Sequence, residues 1–493
     1  MNSGNEELAP FSGDTQENLV EDKAIKVHSS KKALWIVIIS IIVVLIGVGV
    51  LLYFLFKKDD DDEDEDKGDD EEDEDEEDYE NSLISANYYY PSPTNFTKIF
   101  HETYIDLIKT LKIDGEEVEI DNNKTLEDGF HTIDFYFKKK LRTLENFFFK
   151  VNTLKEVNLE NLTSTKITST SDMFNGCTEL KVVDFAKYYN NIINISNMFT
   201  DCHSLTSINL DAFSNGKIKD VYGLFSRAYN LGSIDFGNFN TRSVLNMSNL
   251  FSECFYFTKL DLKKFETNKV TDMSNMFYGC SSLTSINLIN FNTENVIHMN
   301  GMFDGCKKMK FLSLENFETK NVENMFLMFG DCVNLEVLNI KNFNTENVKD
   351  MFGMFKNCKL LEGIDISHFN TRKVIDMGDM FGNCSSLKKV NLTNLNTENL
   401  IYITGMFEDC PKLESLSIFD TKNVIDARFL LYNCKSLEYI DFRKFDMENM
   451  ELTEGIFNGL TPNGVFKYNP EIFNESLLNL FPDNWSFIND SII

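Results

Sequence analysis

Positive charge is scarce in this chain: 47 Lys and Arg face 78 Asp and Glu across 493 residues, a net charge of −31. A nucleic-acid-binding surface needs a basic stripe, and none runs through the sequence, so nucleic acid is not an expected partner. Histidine is scarce too. The six, at 28, 101, 131, 203, 298 and 368, share no register and never enter the repeated methionine position at Met273, Met299, Met325, Met351 and Met377, so no metal site is expected. A Gly-rich phosphate loop and a G-x-S-x-G elbow are both missing. Abundant carboxylates do not make a catalytic pair, so neither an enzyme nor a cofactor is expected. Proline is also rare: of seven, only Pro411 falls between 146 and 460.

What fills that stretch is a repeat, typified by FNTENVIHMNGMFDGCKKMKFLSL at 291 to 314. One column fixes its register: Phe148, Phe174, Phe199, Phe225, Phe251, Phe277, Phe303, Phe329, Phe355, Phe381 and Phe407, then Leu431 and Phe457. These are thirteen units, nearly all 26 residues apart. A cysteine follows three residues after most of these positions, and apolar columns follow the cysteine at +3, +6, +8 and +11, as Leu283, Ile286, Leu288 and Phe291. Within a unit, Val296, Met299, Met302, Phe303 and Cys306 lie three or four apart, the stripe of a short amphipathic helix. Asn292 and Thr293 stand where they would cap its first amides. Gly, Asn or Asp usually precedes the cysteine, as Gly305 and Asn357 do, which suits a left-handed residue closing the helix. Ile286 and Leu288 then alternate with Asn287, as in a strand with one buried face. Each unit is expected to be a helical turn, a break and a short strand. No unit can bury its stripe alone, so neighbours must stack.

The motif F-N-T-x-x-V-x-x-M-x-x-M-F-x-x-C-x-x-L-x-x-I-x-L resembles the BspA-like leucine-rich repeat of bacterial and protist surface proteins. It covers about two thirds of the chain, in phase over a dozen units. The resemblance implies an α/β leucine-rich-repeat solenoid, curved, with a parallel sheet on its concave side. It also implies a cell-surface role in adhesion or in binding a protein or glycan ligand.

The chain before the repeat has its own organisation. Residues 1–32 are polar and without periodicity, and are expected to form a disordered cytoplasmic tail. ALWIVIISIIVVLIGVGVLLYFLF at 33–56 carries no charge and is long enough, at about 36 Å as a helix, to cross a bilayer. A cleaved signal peptide would have a shorter apolar core and a small-residue cleavage site, whereas Lys57, Lys58 and a run of aspartates follow. The expectation is a single transmembrane helix, N-terminus inside, C-terminal part outside the cell. Sequons at Asn95, Asn123, Asn161, Asn194, Asn246, Asn383, Asn391, Asn474, Asn484 and Asn489 all follow the span and support that orientation. Residues 57–81 hold an acidic run, 59–80, in which nineteen Asp and Glu face one Lys. It lacks the ligand spacing of a calcium loop and is expected to be a self-repelling spacer.

Residues 82–145 lack the repeat columns, show short alternating strands and are expected to form a β-rich N-terminal cap over the open sheet edge. The repeats themselves occupy 146–460. Residues 461–493, with Pro462, Pro470 and Pro482, are expected to form the C-terminal cap, Trp485 packing on the last unit.

Ten cysteines sit in one column, at 177, 202, 254, 280, 306, 332, 358, 384, 410 and 434, with Ala228 in the skipped unit. An even count outside the cell favours disulfides, but in-register neighbours would stand about 4.8 Å apart with parallel side chains, poorly placed for the S–S torsion. A ladder of buried free thiols, filling a small apolar place as Ala228 and Leu460 do, is therefore expected over disulfides or a metal site. The candidate ligand face is the outward position of each strand: Asp184, Asn209, Asp235, Asp261, Asn287, Ser313, Asn339, Asp365, Asn391, Ser417 and Asp441, broken at +5 by Phe311, Val337 and Tyr439. Exposed aromatics anchor interfaces, whereas small polar residues also simply solvate a sheet. Two other readings stay open: a structural surface-coat protein without a specific ligand, and an intracellular scaffold of opposite topology.

Overall fold

Successive units must share backbone hydrogen bonds as well as side chains, because a 26-residue segment has no room for a sheet of its own. In the computed structural model, which describes residues 82–489 apart from 92–96, 163–165, 186–190 and 393, two ladders meet this need. The first is built of twelve short strands, from Leu154–Asn158 through Phe311–Ser313 and Val337–Asn339 to Tyr439–Phe442. The strands pair parallel and in register two by two, Phe311 with Val337, Leu312 with Leu338 and Ser313 with Asn339. The second ladder is one residue wide in each coil and runs in parallel bridges from Thr143 through Asn194, Asp220, His298 and Asp376 to Leu452. The architecture is therefore a leucine-rich-repeat-like β-solenoid of about twelve coils.

This corrects the expected α/β fold of thirteen helix-plus-strand units. The helical segments among the described residues are two short 3₁₀ stretches, Glu102–Leu107 and Glu475–Leu480, both outside the repeats. The segment from Val296 to Cys306 is a run of turns. Met302, Asp304 and Cys306 donate to the carbonyls three residues back, of Met299, Gly301 and Phe303. The amides between them, of Met299, Gly301, Phe303 and Gly305, instead donate to Asn324, Phe326, Met328 and Gly330 in the next coil. An α-helix would spend all of these N–H groups within its own coil. The backbone is held out of the helix by left-handed residues four apart: Gly301 and Gly305 have φ of 60° and 74°, and Asn275 and Gly279 repeat this at 54° and 66°. Successive four-residue turns bring residues three apart onto one face, as a helix does. Val296, Met299, Met302, Phe303 and Cys306 are accordingly all fully buried.

Asn292 caps an amide as expected, its Oδ1 accepting from Glu294 N at 2.9 Å. Thr293 does something else. Buried at 1 % exposure, its Oγ1 donates to Glu318 O at 2.9 Å and accepts from Glu318 N at 2.8 Å, riveting one coil to the next. Thr267 and Thr319 repeat the arrangement.

The core is a set of stacked columns. From Phe148 to Phe407 the rings of the defining phenylalanine column lie 5.4–6.0 Å apart and within 18° of parallel. The ten cysteines are unpaired and buried. Each thiol donates to the carbonyl of the phenylalanine in the preceding coil, at 3.0–3.3 Å, as Cys306 does to Phe277.

Ahead of the repeats, Leu83–Tyr90 pairs antiparallel with Gly129–Phe137 on one side and with the first coil's strand, Leu154–Asn158, on the other. Ile108–Ile113 and Glu116–Val118 extend this sheet outward. Beyond the last coil, Asn463–Tyr468 and Asn484–Asn489 continue the parallel ladder. Trp485 is buried there, its indole N–H donating to Thr461 O at 2.9 Å.

The expected tail at 1–32, membrane helix at 33–56 and acidic spacer at 57–81 lie outside the described residues. Among those described, no helix is long and apolar enough to cross a membrane. The placement as a single-pass cell-membrane protein, with a cytoplasmic N-terminus and an outer C-terminal part, is corrected on that finding. The described chain runs in strands of two to nine residues joined by turns, whereas a spanning helix needs about 20 apolar residues.

Candidate functional site

In each strand the +6 side chain enters the core, as Ile208, Leu312 and Leu416 do, so +5 and +7 face outward. Asp184, Asn209, Asp235, Asp261, Asn287, Ser313, Asp365 and Asn391 are exposed, and Asn339, Ser417, Tyr439 and Asp441 half-buried. In-register pairing sets these positions side by side within each pair of strands, and the repeat returns them at the same place in every coil.

The structure also explains why the line is rich in Asn and Asp. Asn209, Asp235, Asp261, Asn287, Asn339, Asp365 and Asp441 each accept, through Oδ1, the amide two residues on, at 2.7–3.4 Å. Such a side chain turns the chain as it leaves the strand. The column is thus first a turn-forming device, which spacing alone did not reveal.

Several carboxylates on this face are held ionised. Lys263 beside Asp261, at 2.9 Å, and Ser367 on Asp365 keep both carboxyls below their usual range. Partial burial pushes Asp441 up, but Arg443, donating to both its oxygens at 2.9 and 2.8 Å, outweighs this and holds it low.

Phe311 and Val337 stand apart. They are 61 % and 54 % exposed, directly opposite one another in register, and serve no turn. The next coil has Gly363 at the same position, and the missing side chain opens a hollow of about 670 Å³. Gly363, Asp365, Ser367, Lys389, Asn391 and Ser415 line it. An apolar ridge thus stands next in register to a basin of mixed character, in which Ile364, Val390 and Leu392 lie among the polar groups beside one lysine and one aspartate. Tyr439, three coils past Gly363, does not join that ridge; Lys467 lies over its ring at 5.6 Å. Among the described residues, no three His, Cys, Asp or Glu are grouped to hold a metal ion.

The sequons scatter. Asn161, Asn391, Asn474, Asn484 and Asn489 are exposed, while Asn123 is half-buried and Asn95 lies outside the described residues. Asn194 and Asn246 sit in the second ladder, each accepting an amide two residues on. Asn383 carries the left-handed backbone before Cys384, with φ of 61°.

Acid groups that the sequence did not mark are two aspartates, Asp304 buried and Asp376 half-buried. Burial, reinforced by Asp331, pushes the Asp304 carboxyl up to about 6, and burial, reinforced by Asp350, does the same at Asp376. The folded chain therefore prefers both protonated. Their contribution is present below about pH 4 and is lost as pH rises through 6. Asp304→Asn is expected to stabilise the protein at pH 7.5 by about 1–2 kcal/mol, allowing for partial solvent screening, and by nothing at pH 4. Urea unfolding at the two pH values checks this, and a gain of equal size at both would show that the charge is not the cause.

A family model described as "Mycoplasma protein of unknown function, DUF285" matches residues 142–259, 193–310, 246–363, 282–390 and 360–466. The overlapping matches run unbroken from 142 to 466, so they cover 466 − 142 + 1 = 325 of 493 residues. The chain belongs to this family. Its first three DUF285 matches begin 51 and 53 residues apart, about two coils, so the family unit is itself a stack of coils. A search of curated proteins gives no match. Among solved structures, the chain is similar to a TLR13–ssRNA13 complex, with 16 % identity over 59 % of this chain and 50 % of that one, at a TM-score of 0.21. It is also similar to the functional domain of InlJ from Listeria monocytogenes, which includes a cysteine ladder, with 12 % identity over 77 % and 78 % of the two chains, at a TM-score of 0.19. The DUF285 chain thus spans half the length of the first, and at such scores neither likeness says what it binds.

Proposed function

We propose that this protein is a recognition module that binds a protein or glycan ligand through the strand face of its solenoid, and that it catalyses no reaction. On this reading it works as BspA-like adhesion proteins are described to, and the ligand is met by side chains presented from consecutive coils. The observation that carries the proposal is the Phe311–Val337 ridge beside the Gly363 hollow. Seven of the eleven polar residues along the strands are accounted for by turn formation, whereas two large apolar side chains held in water are not. Side chains so placed are typical anchors, with most of an interface's energy in a few such residues.

The test is a pair of titrations. The full chain and its Phe311→Ser/Val337→Ser variant are presented to a panel of cell-surface proteins and glycans. At least one saturable binder is expected, weakened about tenfold or more in the variant. The unfolding midpoint is expected to stay put, since exposed positions usually shift stability by under about 0.5 kcal/mol. If no member of the panel saturates, the repeats are better read as a coat whose regularity is its purpose.

A further inference from the structure

Away from the strand face, a second row of rings lies on the surface just after the cysteine column. His203, Tyr229 and Phe255 occupy the same position in three consecutive coils. His203 stacks on Tyr229 at 4.5 Å and 11°, and Tyr229 on Phe255 at 4.9 Å and 8°. The stack then stops. The next coil has Ser281 in this position and Ser282 beside it, and the coil after that has Lys307 and Lys308. A hydroxymethyl group does not cover a phenyl face, and Phe255 is 37 % exposed, with Tyr256 beside it at 64 %. At a coil spacing of about 4.8 Å a fourth ring would lie over Phe255, and Ser281 supplies none.

The surroundings restrict what would enter it. The residues leading into the stacked ones line a hollow of about 380 Å³, among them Ser226, Arg227, Asn249, Ser252, Glu253 and Asn275, together with Tyr222 and Tyr278. Tyr222 and Tyr278 are 39 % and 38 % exposed. Hydroxyls and one charge of each sign thus stand two and three residues ahead of the stacked rings in the same coils, Ser226 and Arg227 before Tyr229 and Ser252 and Glu253 before Phe255. A nucleic acid would need its phosphates neutralised. Here Arg227 is already paired with Asp201, and Glu253 is close enough to raise the Tyr229 phenol after burial has done so. A pyranose meets both demands, with a face of C–H groups for the negative face of the ring and a rim of hydroxyls for the amides and serines.

We infer that the truncated His203–Tyr229–Phe255 stack and the adjoining hollow form a saccharide-binding site, in which a hexose ring takes the fourth place in the stack over Phe255. The site shares no residue with the strand face and stands or falls without it.

Calorimetric titration of the full chain with cellohexaose, chitohexaose and mannohexaose tests this, with N-acetyltyrosinamide as an aromatic competitor. At least one hexasaccharide is expected to bind with a Kd below about 1 mM. Phe255→Ala is expected to weaken it about tenfold or more. Ser281→Phe, which supplies the fourth ring from the chain itself, is expected to abolish binding while leaving the unfolding midpoint unchanged or raised. Phe311→Ser/Val337→Ser is expected to leave binding intact. The inference is overturned if no hexasaccharide binds, if Ser281→Phe binds as well as the parent, or if N-acetyltyrosinamide occupies the site and the sugars do not.

Discussion

Phe303→Ala is expected to cost the solenoid about 3–5 kcal/mol, a large share of the stability of any domain. The ring is fully buried in the middle of the phenylalanine column, stacked on Phe277 at 5.5 Å and on Phe329 at 5.9 Å. Truncation loses the transfer free energy of the ring and leaves a void. Two backbone ladders fix the distance to the neighbouring coils, so the void cannot close by collapse. Phe303→Leu, which keeps most of the volume, should cost no more than about 1.5 kcal/mol. Lys308→Ala, on the exposed part of the same coil, should stay within about 0.5 kcal/mol. Urea unfolding followed by circular dichroism reads all three. In an array where each coil touches only its neighbours, a weak middle also divides the molecule. The Phe303→Ala transition is therefore expected to broaden, with the two flanking sets of coils unfolding separately. A loss below about 1 kcal/mol would mean that the column is not the energetic centre of the fold.

The stacking itself was plain from the sequence, because Phe148 to Phe407 recur in phase and no single unit can cover its own stripe. The strands were plain too, since Ile286 and Leu288 alternate with Asn287 and the pattern has a period of two. The expected helix was not there. Spacings of three and four from Val296 to Cys306 are shared by a helix and by linked turns, and periodicity cannot choose between them. The deciding signal lay in the residue four before Gly305. There, Gly301 and its counterparts Asn275, Gly353 and Gly405 are left-handed, and Gly, Asn or Asp fills both left-handed positions in most units, although Leu327 and Phe429 stand at this one. The buried threonines were misjudged for a related reason. Thr293 ahead of an apolar stripe looks like a cap, and only the neighbouring coil shows that its hydroxyl is a rivet. On the candidate face, the outward line was legible from alternation, but the use of Asp235 or Asp365 to turn the chain was not. Nor was the ring stack at 203, 229 and 255, which becomes visible once His, Tyr and Phe are written in one column rather than sought as identical residues.

In the native protein, none of the ten thiols is expected to react with Ellman's reagent on the time scale of an exposed cysteine, and all ten are expected to react once it is unfolded in guanidinium chloride without reductant. All ten are buried and unpaired. Burial pushes the thiols of Cys177, Cys280 and Cys410 up to about 12 and raises the others in the same direction. The thiolate is the reactive species, so a rise from 9 to about 12 lowers its share near pH 8 about a thousandfold, before access is considered. Eight or fewer thiols after unfolding would instead reveal disulfides along the column. Because the closed state is inert, any slow labelling of the native chain measures how often a coil opens. A solenoid frays from its ends unless they are capped, and a one-dimensional stack orders its coils by distance from them. Cys434 and Cys177 are then expected to label before Cys306. The difference in rate between Cys306 and each end, read by mass spectrometry after brief exposure to iodoacetamide, measures how firmly the Leu83–Tyr90 strand and the Trp485 segment close the stack. Equal labelling throughout would mean that the coils open together, as one cooperative unit.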